Sequence, residues 1–321
     1  MQIFSLSPAS LRRRLLGLSA DEASFARRGF RGAGEPTQAR LERIGATFIG
    51  GYNAALEQAP PRELVTALEA AEAELHGFAF EGAAMALALL DAMTPWNRSR
   101  LGEFLRGGAE RHVYMVYVGA GWAWARLRLS VPRLLQRMDL LLGWLAVDGY
   151  GFHEGFFHGP RYVECQEAPR LKGYAARAFD QGLGRSLWFV EGASVERVIA
   201  RVQGFSASRQ PDLWSGVGLA ATYAGGVGRD ALTRLREAAG ALLPHMAQGA
   251  VFAARARQRA GNLAPHTELA CEVLCERSSE EAAAIAESAL EALTSEDANP
   301  PRFERWRQLI QRQVSLERKA T

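Results

Sequence analysis

Apolar residues recur along most of the chain at the spacing of an α-helix. Alanine and leucine fall three and four positions apart among arginine and glutamate, and runs typical of β-strands are scarce. This pattern puts apolar side chains on one face of a helix and charged side chains on the other. The clearest segments are residues 67–75, 134–145, 229–243 and 280–293. The sequence therefore predicts an all-α protein.

A further segment, residues 113–125, is apolar throughout. It is shorter than the roughly 20 residues that cross a bilayer, so we expect a buried helix and no transmembrane segment. The apolar run that follows the arginines at 12–14 is too short for the core of a signal peptide. Three cysteines, an odd number in a long chain, argue against a disulfide framework. We therefore expect a cytoplasmic protein.

Glycine is frequent, with 32 in 321 residues, and its strongest copies are periodic. Each follows a large apolar residue, and a period near 34 is typical of helical hairpin repeats. The clear copies are Gly82, Gly182, Gly216 and Gly249, of which the last three are 34 and 33 residues apart, and the weaker copies are Gly119 and Gly155. A glycine inside a helix costs about 1 kcal/mol relative to alanine. Its recurrence therefore indicates either close helix packing or room for a ligand against the backbone.

Each C-terminal unit fits one plan, in which a glycine-bearing first helix precedes an amphipathic second helix. The predicted first helices are 179–190, 212–224 and 245–259, the predicted second helices are 194–202, 229–243 and 266–275, and 280–293 packs as a terminal cap. Stacked antiparallel helical hairpins of this kind form a solenoid-like helical repeat. An irregular helical bundle is the alternative.

The predicted domain boundary follows from where the repeat pattern stops. We expect a single helical-repeat domain over residues 1–296, with units clearest at 179–293. The prolines at 300 and 301 break the pattern, and residues 302–319 are rich in charge. We therefore expect an exposed, charged helix within a C-terminal tail of residues 297–321.

The charge pattern narrows the range of partners. The formal net charge is +3, and all but Lys172 and Lys319 of the 38 basic residues are arginine, spread among 35 acidic residues. Because no long basic block occurs, we expect no nucleic-acid partner. The glycine pairs at 182/184 and 216/218 follow no predicted strand and lack the lysine of a phosphate loop. We therefore expect no cofactor.

The segment 148–159 carries the densest set of chemically active side chains. Asp148, His153, Glu154 and His158 are its candidates for catalysis. The two histidines are five positions apart, roughly 140° around a regular helix, so they cannot hold one ion from such a helix and we expect no metal. With four glycines, the segment is expected to form an aromatic, glycine-kinked turn at the edge of a pocket. A distorted site that includes Asp148 stays open.

Polar and aromatic residues at equivalent repeat positions are candidates for ligand binding. In a stacked array such positions line one groove, and an aromatic groove with a few hydrogen-bonding groups suits an elongated apolar ligand or a partner helix. The competing interpretation places the tryptophans in the core and Asp212 at a helix N-cap. The candidates are Tyr150, Asp180, Gln181, Arg185, Trp188, Asp212, Trp214, Ser215, Tyr223 and Gln248.

Four motifs resemble the UnbL-type family of unknown function, whose members are bacterial proteins encoded beside enediyne polyketide synthases. The motifs are FEGAAM at 80–85, DGYGFHEG at 148–155, FDQGLGRSLWF at 179–189 and DLWSGVGL at 212–219. The likeness extends from about residue 26 to about residue 275. The resemblance implies a role in making or maturing the enediyne core, a highly unsaturated polyketide, and it assigns no reaction, cofactor or catalytic residue.

Three functions are compatible with these observations, the third being a pure scaffold that docks a membrane-bound pathway partner. The first is an accessory protein of enediyne biosynthesis that binds a polyene intermediate or another pathway protein in the aromatic groove. The second is a cofactor-poor or metal-assisted enzyme that acts on the polyene through the candidates in segment 148–159.

Overall fold

A computed structural model of the chain describes residues 8–32, 34–57, 60–94, 96–293 and 300–316. No β-strand occurs within these ranges, so the all-α prediction is confirmed. The helices are α1 (Pro8–Leu16), α2 (Phe25–Arg28), α3 (Glu35–Glu57), α4 (Pro61–Leu68), α5 (His76–Met93), α6 (Arg100–Arg106), α7 (Val113–Arg126), α8 (Val131–Leu135), α9 (Gly143–Phe157), α10 (Tyr174–Val190), α11 (Val195–Gly204), α12 (Gln210–Ala224), α13 (Arg229–Ala239), α14 (Leu243–Ala260), α15 (Pro265–Cys275), α16 (Ser279–Glu291) and α17 (Arg302–Leu316).

Seven of these helices form an inner layer in which each packs on the next, in the order α3, α5, α7, α9, α10, α12 and α14. Neighbours run in the same direction. Trp144 contacts Tyr174 near the start of α9 and α10, whereas Gly155 meets Ser186 near their ends. Shorter helices such as α11, α13 and α15 return along the outside and stack on one another. Successive inner and outer helices therefore form the predicted stacked hairpins.

Glycines occupy the points where inner helices cross. On α10, Gly182 faces the backbone of α9 and Gly184 faces the backbone of α12. A methyl group at Gly182 would stand 2.7 Å from the carbonyl carbon of Asp148, far inside the contact distance of about 3.5–4.0 Å between carbon atoms. Pairs two residues apart do the same on α7, α9 and α12, namely Gly119 and Gly121, Gly149 and Gly151, and Gly216 and Gly218. The periodic glycines therefore allow close helix packing.

The repeat register on α9 differs from the prediction. Gly155 is not the copy of Gly119 and Gly182, because it lies against the side chains of Leu183 and Ser186 of the following helix. The glycine that faces the preceding helix is Gly149, which lies against Val118 of α7.

The array curves until its two halves meet at one end. The Arg40 Nε of α3 donates to the Ala224 O of α12 at 2.7 Å, and the Thr37 Oγ1 donates to the Gly226 O at 2.8 Å. Beyond α14, the Asn262 Nδ2 donates to the Ala73 O at 2.9 Å. The inner helices therefore surround an interior rather than an open groove.

Two predicted helices are wrong because local hydrogen bonds interrupt them. The segment 67–75 breaks after Leu68, where the His76 Nε2 lies 2.9 Å from the Ala71 O and holds a turn. The segment 134–145 breaks after Leu135. The Asp139 carboxylate then accepts a hydrogen bond from the backbone N of Leu142 at 2.7 Å, just before α9 begins. The helical spacing of apolar residues alone does not reveal such side-chain hydrogen bonds.

Two other expectations about irregular or exposed segments are also wrong. The glycine-kinked turn predicted at 148–159 is regular α-helix up to Phe157. The C-terminal helix is not exposed in its described part, because Phe303, Trp306 and Ile310 share one buried face. The Trp306 Nε1 donates to the Ala286 O of α16 at 2.8 Å. Residues 297–299 and 317–321 of the predicted tail lie outside the described residues.

The apolar helices belong to the core. The segment predicted as a buried helix at 113–125 is α7, and the prediction is confirmed. Among the described residues, one helical span, Ala73–Met93, is long and apolar enough to cross a membrane, and 83% of its most apolar window is buried inside the protein. This burial places the helix in the protein core.

Candidate functional site

Aromatic side chains of the interior surround a cavity that we call the aromatic chamber. Helices α3, α5, α7, α9 and α10 and the segment 18–30 enclose a cavity of about 70 Å³, within about 790 Å³ of atom-free space that includes the part open to solvent. The charged residues of its described wall are Glu22, Glu81 and Arg185, and the rest of the wall is apolar. Its aromatic residues are Phe25, Phe30, Phe48, Phe78, Trp122, Phe152, Phe156, Phe157 and Phe189.

The aromatic rings of the chamber contact one another around Trp122. The Trp122 ring centroid lies 4.6 Å from that of Phe48 and 5.0 Å from that of Phe152. The segment 18–30 covers this cluster, since Phe30 meets Phe156 edge to face at 4.9 Å. The Arg28 guanidinium carbon lies 4.5 Å from the Phe157 ring centroid. The chamber thus offers ring faces and edges to an apolar molecule.

Glu81 places a carboxyl group in the wall of this chamber. Its side chain is buried in the middle of α5, and its Oε1 accepts a hydrogen bond from the Trp122 Nε1 at 3.0 Å. Burial raises the pKa of Glu81 to about 7, and the nearby Arg185 guanidinium limits the rise. Near neutral pH the group therefore exists in both its protonated and its ionised form, as an acid–base catalyst requires.

A second cavity of about 40 Å³, within about 470 Å³ of atom-free space that includes the part open to solvent, lies on the other side of Arg185. Helices α7, α9, α10, α12, α14 and α17 surround it. Arg185 lines both this cavity and the aromatic chamber, so its side chain forms part of the boundary between them. Asp148 and Tyr223 line the second cavity as well. The Arg185 Nη1 donates to the Asp148 Oδ1, and both side chains are buried.

A buried polar chain continues from this ion pair across the inner helices. The Gln181 Nε2 of α10 donates to the Asp148 Oδ2 at 2.7 Å. The Ser215 Oγ of α12 lies 3.3 Å from the Gln181 Oε1 and donates to the Gln248 Oε1 of α14 at 2.9 Å. All four side chains are inaccessible to solvent. The polar candidates Gln181, Ser215 and Gln248 therefore meet one another in the protein interior.

The C-terminal helix closes the polar chain. The Arg307 Nε donates to the Gln248 Oε1 at 3.0 Å, and its Nη1 lies 2.7 Å from the Asp212 Oδ1 and 3.1 Å from the Glu304 Oε2. Arg177 pairs with the same two carboxylates at 3.0 and 2.9 Å. Although burial opposes ionisation, the two guanidinium groups keep the pKa of Asp212 below its usual value. Asp212 therefore binds α17 to the inner layer.

The remaining predicted binding residues lie outside both cavities. Asp180 pairs with Arg209, whose Nε donates to it at 2.9 Å. The half-buried Tyr150 packs beside Phe179 and lines neither cavity. Trp188 and Trp214 are fully buried in the core, and the Trp188 Nε1 donates to the Gly225 O at 3.0 Å. These residues stabilise helix packing.

The four catalytic candidates are divided between two places. Asp148 faces Arg185 and Gln181, whereas the His153 Nδ1 pairs with the Glu154 Oε1 at 3.1 Å and His158 is exposed just after α9. Burial lowers the pKa of His153. No group of three histidine, cysteine or acidic side chains in the described residues is arranged to hold a metal ion. These candidates do not form one site.

Sequence reasoning missed Glu81, Trp122 and Arg307. Glu81 carried a usable signal, because it is the lone charged residue in an apolar run and precedes Gly82 as Gln181 precedes Gly182. Arg307 carried none, since it is one of several arginines in a charged terminal helix.

Comparison with known proteins identifies a family without a described activity. The chain matches the family described as "Protein of unknown function (DUF1702)" over residues 8–314. No curated protein and no solved structure matches the chain.

Proposed function

The chain belongs to the DUF1702 family, and we propose that it binds an elongated, unsaturated carbon chain in the aromatic chamber. The observation that supports this proposal is the wall of the chamber, in which nine aromatic residues surround one buried carboxyl group and one buried guanidinium group. Conjugated double bonds stack on the faces of aromatic rings, and moving them out of water lowers the free energy. A mostly apolar wall with a few polar groups is typical of sites for such ligands.

The biological setting of the proposal rests on the resemblance to the UnbL-type family. The ligand is then a polyene intermediate of enediyne biosynthesis, and the protein is an accessory factor in the bacterial cytoplasm that also contacts other pathway proteins. Deleting the gene and identifying the accumulated polyketides tests this role. We expect a polyene to accumulate and the enediyne core to be lost, and unchanged products would contradict the role.

Binding itself is testable with 1,6-diphenyl-1,3,5-hexatriene, a linear hydrocarbon polyene that fluoresces in apolar surroundings. We expect its fluorescence to rise on addition of the protein and to saturate at one probe per chain. Met85→Trp fills the aromatic chamber and should abolish the rise. Met115→Trp is the matched control, because Met115 is also buried but lines the second cavity. Absence of binding to wild type, or equal loss in both folded variants, would contradict the proposal.

Glu81 supports a second candidate function, an enzyme that moves a proton on the bound chain. Its carboxylate would take a proton from a carbon next to a carbonyl group, the C–H electron pair would move into the carbonyl system, and the protonated Glu81 would return a proton to the chain. No oxidant or reductant is needed. This candidate replaces the metal-assisted version, because the side chains of segment 148–159 are divided between two places.

Deuterium exchange tests the enzymatic candidate. The probe is 1,4-diphenylbut-3-en-1-one, whose CH₂ group lies between a carbonyl and a double bond. In D₂O we expect the protein to exchange these protons faster than buffer does, and Glu81→Gln to remove the acceleration. Glu22→Gln is the control, because Glu22 also lines the chamber but pairs with Arg27. Exchange no faster than in buffer, or equal exchange by Glu81→Gln, would contradict this function.

A further inference from the structure

Two buried hydrogen-bond donors that line the second cavity have no acceptor among the described residues. Arg185 is 5% exposed, and its Nε has no hydrogen-bond partner among the described residues. Tyr223 of α12 is 3% exposed, lines the second cavity beside Arg185, and its Oη likewise has no partner among these residues. A buried donor without an acceptor costs about 1–3 kcal/mol. Their shared location indicates that a molecule bound there supplies the acceptor.

The charges around these donors determine which acceptor fits. The Arg185 guanidinium is already paired with the Asp148 carboxylate, and Glu81 adds a second carboxyl group nearby. A further anion would therefore bring excess negative charge into a buried region. Burial raises the pKa of Tyr223, so its hydroxyl keeps its proton and acts as a neutral donor. A neutral oxygen with free lone pairs satisfies both donors without adding charge.

We propose that Arg185 and Tyr223 donate hydrogen bonds to a carbonyl oxygen of the bound chain. The ligand class is thus an unsaturated ketone, ester or thioester, with its hydrocarbon part against the aromatic wall and its carbonyl at the boundary that Arg185 forms. This inference rests on the proposed function and specifies the substrate class of the same site.

A pair of probes of nearly equal size separates the two proposals. The first is 1,6-diphenyl-1,3,5-hexatriene, and the second is 1,5-diphenylpenta-2,4-dien-1-one, in which a ketone replaces one double bond. In wild type we expect the ketone to bind more tightly and its absorption band to move to longer wavelength, because the two donors stabilise its polarised excited state.

Tyr223→Phe removes one donor and keeps the shape of the ring. We expect it to weaken binding of the ketone about tenfold, to reduce the shift of the absorption band, and to leave binding of the hydrocarbon unchanged. Tyr174→Phe is the control, because Tyr174 is a half-buried tyrosine whose Oη lies 3.4 Å from the Arg307 Nη1, outside both cavities. It should change neither probe. Arg185→Lys, which keeps the charge beside Asp148, should also weaken the ketone selectively.

The outcomes distinguish failure of the inference from failure of the proposed function. If both probes bind wild type equally, or if Tyr223→Phe weakens both by the same factor, the carbonyl assignment is overturned while binding in the chamber stands. If neither probe binds wild type, both proposals are overturned. Because removing an unpaired buried hydroxyl costs little stability, Tyr223→Phe decides the matter even if Arg185→Lys does not fold.

Discussion

Adjacent glycines of α3 allow a direct test of close helix packing. Gly51 faces α5, and a Cβ added there would stand 2.7 Å from the carbonyl carbon of Ala79 and still closer to its oxygen. Gly50, its neighbour in the same helix, is exposed, and no atom of the described residues lies within 4 Å of a Cβ added there. Changing each glycine to alanine therefore makes the same chemical change in a crowded and in an open position.

The expected magnitudes follow from two opposing effects. Alanine gains about 1 kcal/mol over glycine in a helix interior, and this gain applies at both positions. At Gly51 the new methyl group must push α3 and α5 apart by roughly 1 Å, the difference between 2.7 Å and the usual carbon contact. Such overpacking costs about 1–3 kcal/mol, and more where backbone must move. We expect Gly51→Ala to be about 2–3 kcal/mol less stable than Gly50→Ala.

Urea denaturation followed by far-ultraviolet circular dichroism measures this difference. We expect Gly50→Ala to unfold at a slightly higher urea concentration than wild type and Gly51→Ala at a clearly lower one, with similar slopes. Equal midpoints for the two variants, or a higher midpoint for Gly51→Ala, would refute the assignment of these glycines to backbone contact.

Three further predictions concern buried ionisable side chains. Burial lowers the pKa of His112 from 6.5 to about 3, so its contribution to the free energy of unfolding is complete above pH 6.5 and declines as the pH falls. At pH 4, His112→Phe should therefore retain about 3 kcal/mol more of its neutral-pH stability than wild type does. Urea midpoints of the two proteins that fall in parallel with pH would contradict this. The pH dependence of stability has the opposite sign for Glu81, because burial raises its pKa from 4.5 to about 7. Wild type should lose stability as the pH rises across this range, and Glu81→Gln should not. Urea midpoints measured across the same pH range check this. Arg307→Met leaves buried carboxylates without a partner and should cost about 3 kcal/mol or more, whereas Arg177→Met, at a side chain that is 40% exposed, should cost about 1 kcal/mol; equal shifts of the melting temperature would argue against a buried network.

The repeat architecture could be predicted from the sequence because its glycines all serve the close packing of neighbouring helices. Gly182, Gly216 and Gly249 recur at a nearly constant interval, so the helices that carry them were placed within a few residues. The interval from Gly119 to Gly149 is 30 residues, shorter than the others, because the connection between α7 and α9 contains the short α8. A fixed period therefore selected Gly155 in place of Gly149.

Only part of the candidate site could be predicted from the sequence. Asp148 is a catalytic candidate of the segment 148–159, Arg185 and Tyr223 are binding candidates at repeat positions, and the structure places all three at the second cavity. The aromatic chamber has no repeat signal, because its wall joins rings from the segment 18–30 to rings near the end of α9. Such distant segments meet only because the array curves back on itself, and no local pattern records that curvature.

A crystal structure of the protein with 1,6-diphenyl-1,3,5-hexatriene is the most direct test of binding in the aromatic chamber. We predict continuous density for the probe against Phe48, Trp122 and Phe156, with one molecule per chain and the inner helices in place. Density confined to the outer surface, or a chamber filled by its own side chains at saturating probe, would contradict binding at this site.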